Sequence, residues 1–498
     1  MSSRLGPALL ATLCALGWPV AGAPDRPREI YFSELRKEDP RLARTWRQAM
    51  AALRADPARA HEALSALLRG ASAPSGASWL VEVAGPEGAE GVHARVERRR
   101  SLRAALLATL AELEAPARAA LAKEQQAAAE LALRSQAPPD ALGLLQRFPL
   151  SQAGADALLR LWARACEAGD LPARAELSRW ARACHPGLEL PAPPTSPRGE
   201  PAPAAESSEL ELLANHALQP GGRLGAPFSP CQPSLVAGRV VVADGGRVHV
   251  FSARGEPVGA LPLLPKAASG GPDRSAAYVG RIASANGVAF APLLLPGPLA
   301  PARNSPSRDD SFAGRYHSLV AFDPLSCRIL WWDGDPGPHG AGPPGFGERP
   351  ELAKRLRRAH ALACAAGPRR VYLAYTVPGR DSALYVMAFA RRGGRQALEL
   401  VPAWDEPTYL LTAERQQGDA ADLLIAPEIS ATLRLDPEAG LLVTSDVGVV
   451  AALSPWDGSV RWLNKLEPGN MHQESPAQPA FLAEGALYAM ADGQLYQL

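Results

Sequence analysis

The chain is 498 residues long, beyond the size at which a single hydrophobic core stops growing, so two or more domains are expected. Its 52 Lys and Arg balance 51 Asp and Glu to leave a formal charge of +1, which gives no global electrostatic case for nucleic acid or an anionic membrane surface. The composition argues against a polyanionic partner.

The first residues, MSSRLGPALLATLCALGWPVAGA, place one early charge, Arg4, ahead of an apolar run from Pro7 to Val20. Ala21-Gly22-Ala23 then supplies a small-residue exit, so residues 1–23 read as a secretory signal peptide cut after Ala23. As a membrane anchor the run is short and lacks a stop-transfer flank. Cys14 follows Thr12-Leu13 rather than the small residue that normally precedes a lipid-modified cysteine. No later stretch reaches about 18 uninterrupted apolar residues. The mature chain is expected outside the cytoplasm, periplasmic or extracellular, with no transmembrane segment.

Residues 27–187 are rich in Ala, Leu, Arg and Glu, which are good helix formers, and read as an all-α helical domain. The stretch DPRLARTWRQAMAALRADPARAHEALSALLRG opens with Asp39 as a candidate cap and Pro40 at the first helical position, and closes at Gly70. SLRAALLATLAELEAPARAALAKEQQAAAELALRSQ predicts two helices interrupted near Pro116. FPLSQAGADALLRLWARACEAGDLPARAELSRWARAC reads as helix, Gly169-Asp170 turn, helix. Leu158, Leu159, Trp162 and Ala165 share one face, and Ala173, Leu177 and Trp180 face back. This pair resembles one tetratricopeptide-type helix-turn-helix unit, with no array of such units evident.

Removing Cys14 leaves Cys166, Cys184, Cys231, Cys327 and Cys364, an odd set with no C-x-x-C spacing and so no zinc or thioredoxin-like motif. The repeated WARAC invites a Cys166–Cys184 bridge, but an antiparallel helix pair places those sulfurs at opposite ends of the hairpin. Bridge or two small core residues both remain open at this point. Residues 188–209, proline-rich and polar, form the linker between domains.

From 210 to 498 the pattern changes to short apolar strands separated by Gly and Asp-Gly turns. Five units follow one another. The first runs from Cys231 to Leu263, with Val240, Val242, Val248 and Val250 as its packing residues. The second is YVGRIASANGVAFAPLLL and, after an insertion, SLVAFDPLSCRILWW. The third is HALACAAGPRRVYLAYTV with ALYVMAFARRGGRQALELV, and the fourth ATLRLDPEAGLLVTSDVGVVAALSPWDGSVRWL. The fifth, SPAQPAFLAEGALYAMADGQLYQL, stops after its inner strands. Leu212 to Pro227 reads as an outer strand able to complete it. An all-β propeller of about five blades, behind the all-α domain in an α+β multidomain chain, is the expected architecture.

Two units share a tighter pattern. With one fixed offset Ala321 aligns with Ala452, Asp323 with Ser454, Cys327 with Gly458 and Trp331 with Trp462. The order Ala-x-Asp-x-x-x-Gly-x-x-x-Trp resembles the repeat of pyrroloquinoline-quinone-type propellers, found in quinoprotein dehydrogenases and BamB-type outer-membrane assembly proteins. The resemblance implies a propeller in which these residues are architectural. A quinoprotein would also need a vicinal disulfide and a calcium site of Glu, Asn and Asp, and neither is identifiable here. No cofactor is expected.

H-E-x-x-H, G-x-S-x-G and the P-loop pattern are all missing from the sequence, and its nine histidines are scattered without ligand spacing. One charged feature stands out. ERPELAKRLRRAH, with Arg349, Lys354, Arg355, Arg357 and Arg358, predicts a short basic helix as a candidate partner-binding surface. The functional expectation is an exported, non-enzymatic scaffold that binds other envelope proteins. A divergent quinone-dependent redox enzyme and a carbohydrate- or cell-wall-binding propeller are the alternatives.

Overall fold

The computed structural model describes residues 31–35, 40–55, 61–71, 80–82, 96–192, 233–244, 247–262, 278–279, 281–294, 317–332, 360–377, 381–394, 398–415, 431–436, 439–445, 449–466, 481–483, 486–491 and 494–497. The signal peptide, Leu212–Pro227, residues 349–358 of the basic helix and the linker from 193 onward lie outside them; the first linker residues do not hang free, since Leu188 and Leu190 pack on the helical core and the Pro191 carbonyl accepts from the Trp162 indole at 2.9 Å.

The N-terminal half begins with strand β1 (Tyr31–Leu35), then helices α1 (Pro40–Ala55) and α2 (His61–Ala71). The stretch read from Asp39 to Gly70 is thus two helices; the first stops just before Asp56-Pro57, where proline disfavours helical geometry in the residue ahead of it. Strands β2 (Leu80–Glu82) and β3 (Val96–Ser101) follow, then α3 (Leu102–Glu112) and α4 (Ala115–Leu133). Ser101 ends β3 and caps α3, its Oγ accepting from the Ala104 N–H at 3.1 Å. Helices α5 (Ala141–Arg147), α6 (Gln152–Glu167) and α7 (Leu171–Cys184) complete this half.

Asp140, Ser151 and Asp170 cap α5, α6 and α7 in the same way. Gly169 at φ 61° makes the α6–α7 turn. Leu158, Trp162 and Ala165 of α6 and Ala173, Leu177 and Trp180 of α7 join one buried cluster. Leu159 is half-buried, and Leu161 is buried instead.

The C-terminal half is a succession of antiparallel sheets. The first holds β4 (Ser234–Val236), β5 (Arg239–Asp244), β6 (Arg247–Phe251) and β7 (Pro257–Pro262). The second holds β8 (Tyr278–Val279), β9 (Ala283–Ala285), β10 (Val288–Leu294), β11 (His317–Asp323) and β12 (Arg328–Trp332). The third is built from β13 (His360–Ala366), β14 (Arg370–Val377), β15 (Asp381–Arg392), β16 (Glu399–Pro402) and β17 (Thr408–Arg415). The fourth contains β18 (Ala431–Asp436), β19 (Gly440–Ser445), β20 (Val449–Leu453) and β21 (Val460–Leu466). The fifth shows β22 (Phe481–Ala483), β23 (Ala486–Ala491) and β24 (Gln494–Gln497). Each sheet falls on one of the five sequence units. Short antiparallel sheets of about four strands, packed face on face, make a propeller-like fold.

One buried cluster joins the first and second sheets, and a larger one joins the second, third and fourth. In the first sheet the buried face carries Val241, Ala243, Val248 and Val250; Val240 and Val242 are only half-buried. The expected packing set was therefore one residue off on β5. Val241 lies opposite Val250 and Ala243 opposite Val248, and residues directly opposite share a face.

The N-terminal half is not all-α, and it is not a separate bead. Strand β1 pairs with β17 from Tyr31↔Arg415 to Leu35↔Leu411, extending the third sheet. The β2–β3 hairpin extends the fourth, with β3 paired to β21 from Leu463↔Arg99 to Leu466↔Val96. Charged VERRRS gave no apolar alternation to mark β3 as a strand. Its backbone is satisfied by a partner more than 350 positions away, a pairing that local sequence cannot announce.

Candidate functional site: the seam between helices and sheets

The repeated hairpin sets the geometry of the site. In the second sheet Ala321 pairs with Trp331, and in the fourth Ala452 pairs with Trp462, with a β-bulge at the same place in both. The turns reach the left-handed region at Cys327 (φ 51°) and Gly458 (φ 76°), the aligned pair. Asp323 holds its turn by accepting from the Leu325 N–H at 3.0 Å and the Ser326 hydroxyl at 2.9 Å. Where the fourth sheet has Ser454 instead, Asp457 holds the turn from its other side. It accepts from the Ser459 N–H at 3.1 Å and hydroxyl at 2.8 Å.

That displaced carboxylate is also a joint. Asp457 receives Arg103 of α3 at 2.5 Å, with both side chains nearly buried. Burial alone would raise the Asp457 carboxyl; the Arg103 guanidinium and the Ser459 hydrogen bonds outweigh it and hold the group below the usual carboxylate range. Trp456, one residue earlier, packs on the helical core, and Arg370 lies 5.2 Å from its ring centre. Arg370 also donates to the carbonyls of Pro455 and Trp456 at 2.6 and 2.5 Å. A second joint lies on β21, where Arg461 meets Glu176 of α7 at 2.5 Å, both about 5% exposed. Arg461 further donates to the Ala439 carbonyl at 2.6 Å. A third contact runs from Arg369 to the Ala168 carbonyl of the α6–α7 turn at 3.1 Å.

Beside these joints opens a cleft of about 400 Å³. Its floor is Ala104, Leu107, Ala108 and Ala111, which stand on one face of α3, together with Ala183 and Trp462. Its charged groups are Arg100 from β3, Arg179 and Arg182 from α7, and Arg461 from β21. Glu176 contacts Arg461 at 2.5 Å and Arg179 at 3.5 Å. Burial lowers the Arg179 pKa and the other three arginines add to that, with Glu176 opposing. The guanidinium stays protonated at neutral pH all the same.

The sequence-selected residues therefore part company. Ala321 and Ala452 are fully buried, and Ala321 and Trp331, the latter 9% exposed, belong to the core shared by the second, third and fourth sheets. Trp462 is half-buried and faces the cleft. Gly458 lies under Trp404 of the third sheet. Arg349, Lys354, Arg355, Arg357 and Arg358 lie outside the described residues. Sequence reasoning missed Arg103, Glu176, Asp457 and the arginine cleft; the signal available was the DGSVRW run itself, where charge flanks the repeat's tryptophan.

Cys166, Cys184, Cys327 and Cys364 are all free thiols, which resolves the open question of a Cys166–Cys184 bridge. Burial pushes the Cys184 and Cys364 thiols up to about 12. At pH 8 roughly one molecule in ten thousand of each is then a thiolate. Maleimide labelling of the folded protein followed by peptide mapping is expected to modify Cys166 and Cys327 well before Cys184 and Cys364. Equal labelling of all four would show that the two buried sites open freely.

Among the described residues, no three His, Cys, Asp or Glu side chains gather as a metal site, and no helix is long and apolar enough to cross a membrane. No protein-family model matches the chain, and no curated protein matches it. Among solved structures it is similar to BamB from Moraxella catarrhalis, at 14% identity over 53% of this chain and 55% of that one, with a TM-score of 0.24. It is also similar to the Neurospora crassa Pan2 WD40 domain, at 9% identity over 52% of this chain and 71% of that one, with a TM-score of 0.20. The chain spans about half the length of the BamB structure it matches.

Proposed function

We propose that this chain is an exported, non-enzymatic scaffold whose sheet stack and helical layer together hold other proteins of the cell envelope. The observation that carries the reading is the weld between the two halves. Two shared sheets and two buried ion pairs, Arg103–Asp457 and Glu176–Arg461, turn a helical surface and a propeller-like stack into one rigid platform. Rigid surfaces bind partners with little ordering cost, which is what a scaffold needs. The quinone-type repeat is retained for its packing, since Ala321, Trp331, Ala452 and Gly458 all serve contacts between strands and sheets.

The test has two arms. In the first, mature protein secreted to a periplasm is examined by ultraviolet–visible spectroscopy and metal analysis, before and after adding pyrroloquinoline quinone and calcium. Stoichiometric quinone uptake would overturn the scaffold reading in favour of a redox enzyme. In the second, a photo-crosslinking amino acid replaces exposed Leu131 or Leu171 in producing cells. A discrete adduct with another exported protein is expected; if neither position yields one, the platform reading fails.

A further inference from the structure

The seam carries more positive charge than it needs to hold itself together. Four guanidinium groups, Arg100, Arg179, Arg182 and Arg461, converge on one cleft, and Glu176 is the carboxylate in contact with two of them. Arg461 is committed, sealed against Glu176 and the Ala439 carbonyl. Arg182 is exposed, and Arg179 is 38% exposed and only 3.5 Å from the edge of Glu176. Holding like charges this close has an electrostatic cost, which an arriving anion relieves.

The floor narrows the choice of anion. Ala104, Ala108 and Ala111 expose a shallow trough along two turns of α3, closed at its side by Trp462 and deepened by Leu107. Small side chains on the helix leave the space, and the half-buried indole supplies an apolar wall. A free inorganic anion would meet the arginines and leave that floor wet. Carboxylates suit the arginine forks through paired, planar hydrogen bonds, and one carboxylate oxygen of Glu176 already lies against both Arg461 and Arg179 inside the cluster. The cleft volume, about 400 Å³, takes one or two side chains of a partner, the size of a single interface anchor.

We infer that this cleft is a docking site for an acidic segment of a partner protein, taking a Glu or Asp carboxylate onto Arg179 and Arg182 and an adjacent apolar side chain onto the α3–Trp462 floor. The inference rests on the scaffold reading and names the chemistry of the partner it holds. Binding is driven by charge and so weakens with salt.

The test uses the full mature chain and a fluorescent peptide, acetyl-GEFEFG-amide, read by anisotropy, with acetyl-GQFQFG-amide, inorganic phosphate and glutarate as competitors. Saturable binding of the acidic peptide is expected, with the glutamine peptide weaker by about tenfold or more. Arg182→Gln and Arg179→Gln should each weaken the acidic peptide by a similar factor, and Ala108→Phe should block it by filling the floor while leaving all four charges in place. Circular dichroism confirms that each variant is folded, and exposed Arg182 gives the variant safest for the fold. The proposal is overturned if the acidic peptide does not bind, if Arg182→Gln and Ala108→Phe bind it as the parent does, or if phosphate or glutarate competes as well as the peptide does. Those failures leave the quinone and crosslinking tests unaffected, so the docking chemistry and the scaffold role fall separately.

Discussion

Gly458→Ala is expected to lower stability by about 2–5 kcal/mol, the sum of left-handed backbone strain and overpacking. Gly458 sits at φ 76°, a region that costs an L-residue about 1–2 kcal/mol. A β-carbon there would lie 2.6 Å from the Thr408 Oγ1 and 2.7 Å from the Trp404 ring. Neither neighbour can retreat. Trp404 is 2% exposed, and Thr408 donates to the Gly458 carbonyl at 2.7 Å. Denaturant midpoints of parent and variant measure the loss, and a change under about 1 kcal/mol would mean that Trp404 does not press on this turn in solution.

The same junction one step back along the sheets shows how the chain tolerates a different residue there. Cys327 takes the place of Gly458 in the second sheet and keeps a positive φ of 51°. The tryptophan position of the preceding sheet is then Gly259, whose added β-carbon would stand 3.1 Å from the Cys327 sulfur. A large ring on a bare glycine has become a bare glycine under a sulfur. Gly259→Ala should therefore be much milder than Gly458→Ala, about 1 kcal/mol, because a single thiol can rotate where an enclosed indole cannot.

This exchange also explains what was legible in the sequence. Ala321, Trp331, Ala452 and Trp462 could be aligned because a hairpin fixes cross-strand neighbours through local spacing, and the structure pairs them directly. The five strand units were readable for the same reason. Gly259 was invisible as a partner of Cys327, since their contact crosses from one sheet to the next. The joints between halves were harder still. Glu176 and Arg461 are 285 positions apart and Arg103 and Asp457 are 354 apart, and each residue alone looks like an ordinary surface charge. Only packing α3 and α7 against β21 makes them buried pairs and leaves Arg179, Arg182 and Arg100 gathered around the remaining space. The basic helix selected from sequence rested on charge density in one stretch. The described cationic cluster instead draws one or two residues from each of three elements.

Glu176→Gln is expected to produce the largest loss at the seam, about 3–5 kcal/mol, because it takes a carboxylate at 2.5 Å from the enclosed Arg461 guanidinium. Arg461 is about 5% exposed and lies against Gly440, where φ is 97° and any β-carbon would come within 2.7 Å of its Nη1. The arginine thus has little room to swing into water. The Ala439 carbonyl also accepts from it, which satisfies a hydrogen bond without neutralising a charge. Arg179 adds to the strain, since it loses the carboxylate at 3.5 Å and stays close to Arg461. Replacing both members, Glu176→Gln with Arg461→Met, should recover much of the loss by removing the enclosed charge along with its partner. Hydrogen exchange distinguishes the weld from a loose contact. In the single variant, α7 and the β2–β3 hairpin are expected to lose protection together, while β14 and β15 in the third sheet keep theirs. If α7 alone loosens and the hairpin stays protected, strand addition holds the two halves together without the ion pair.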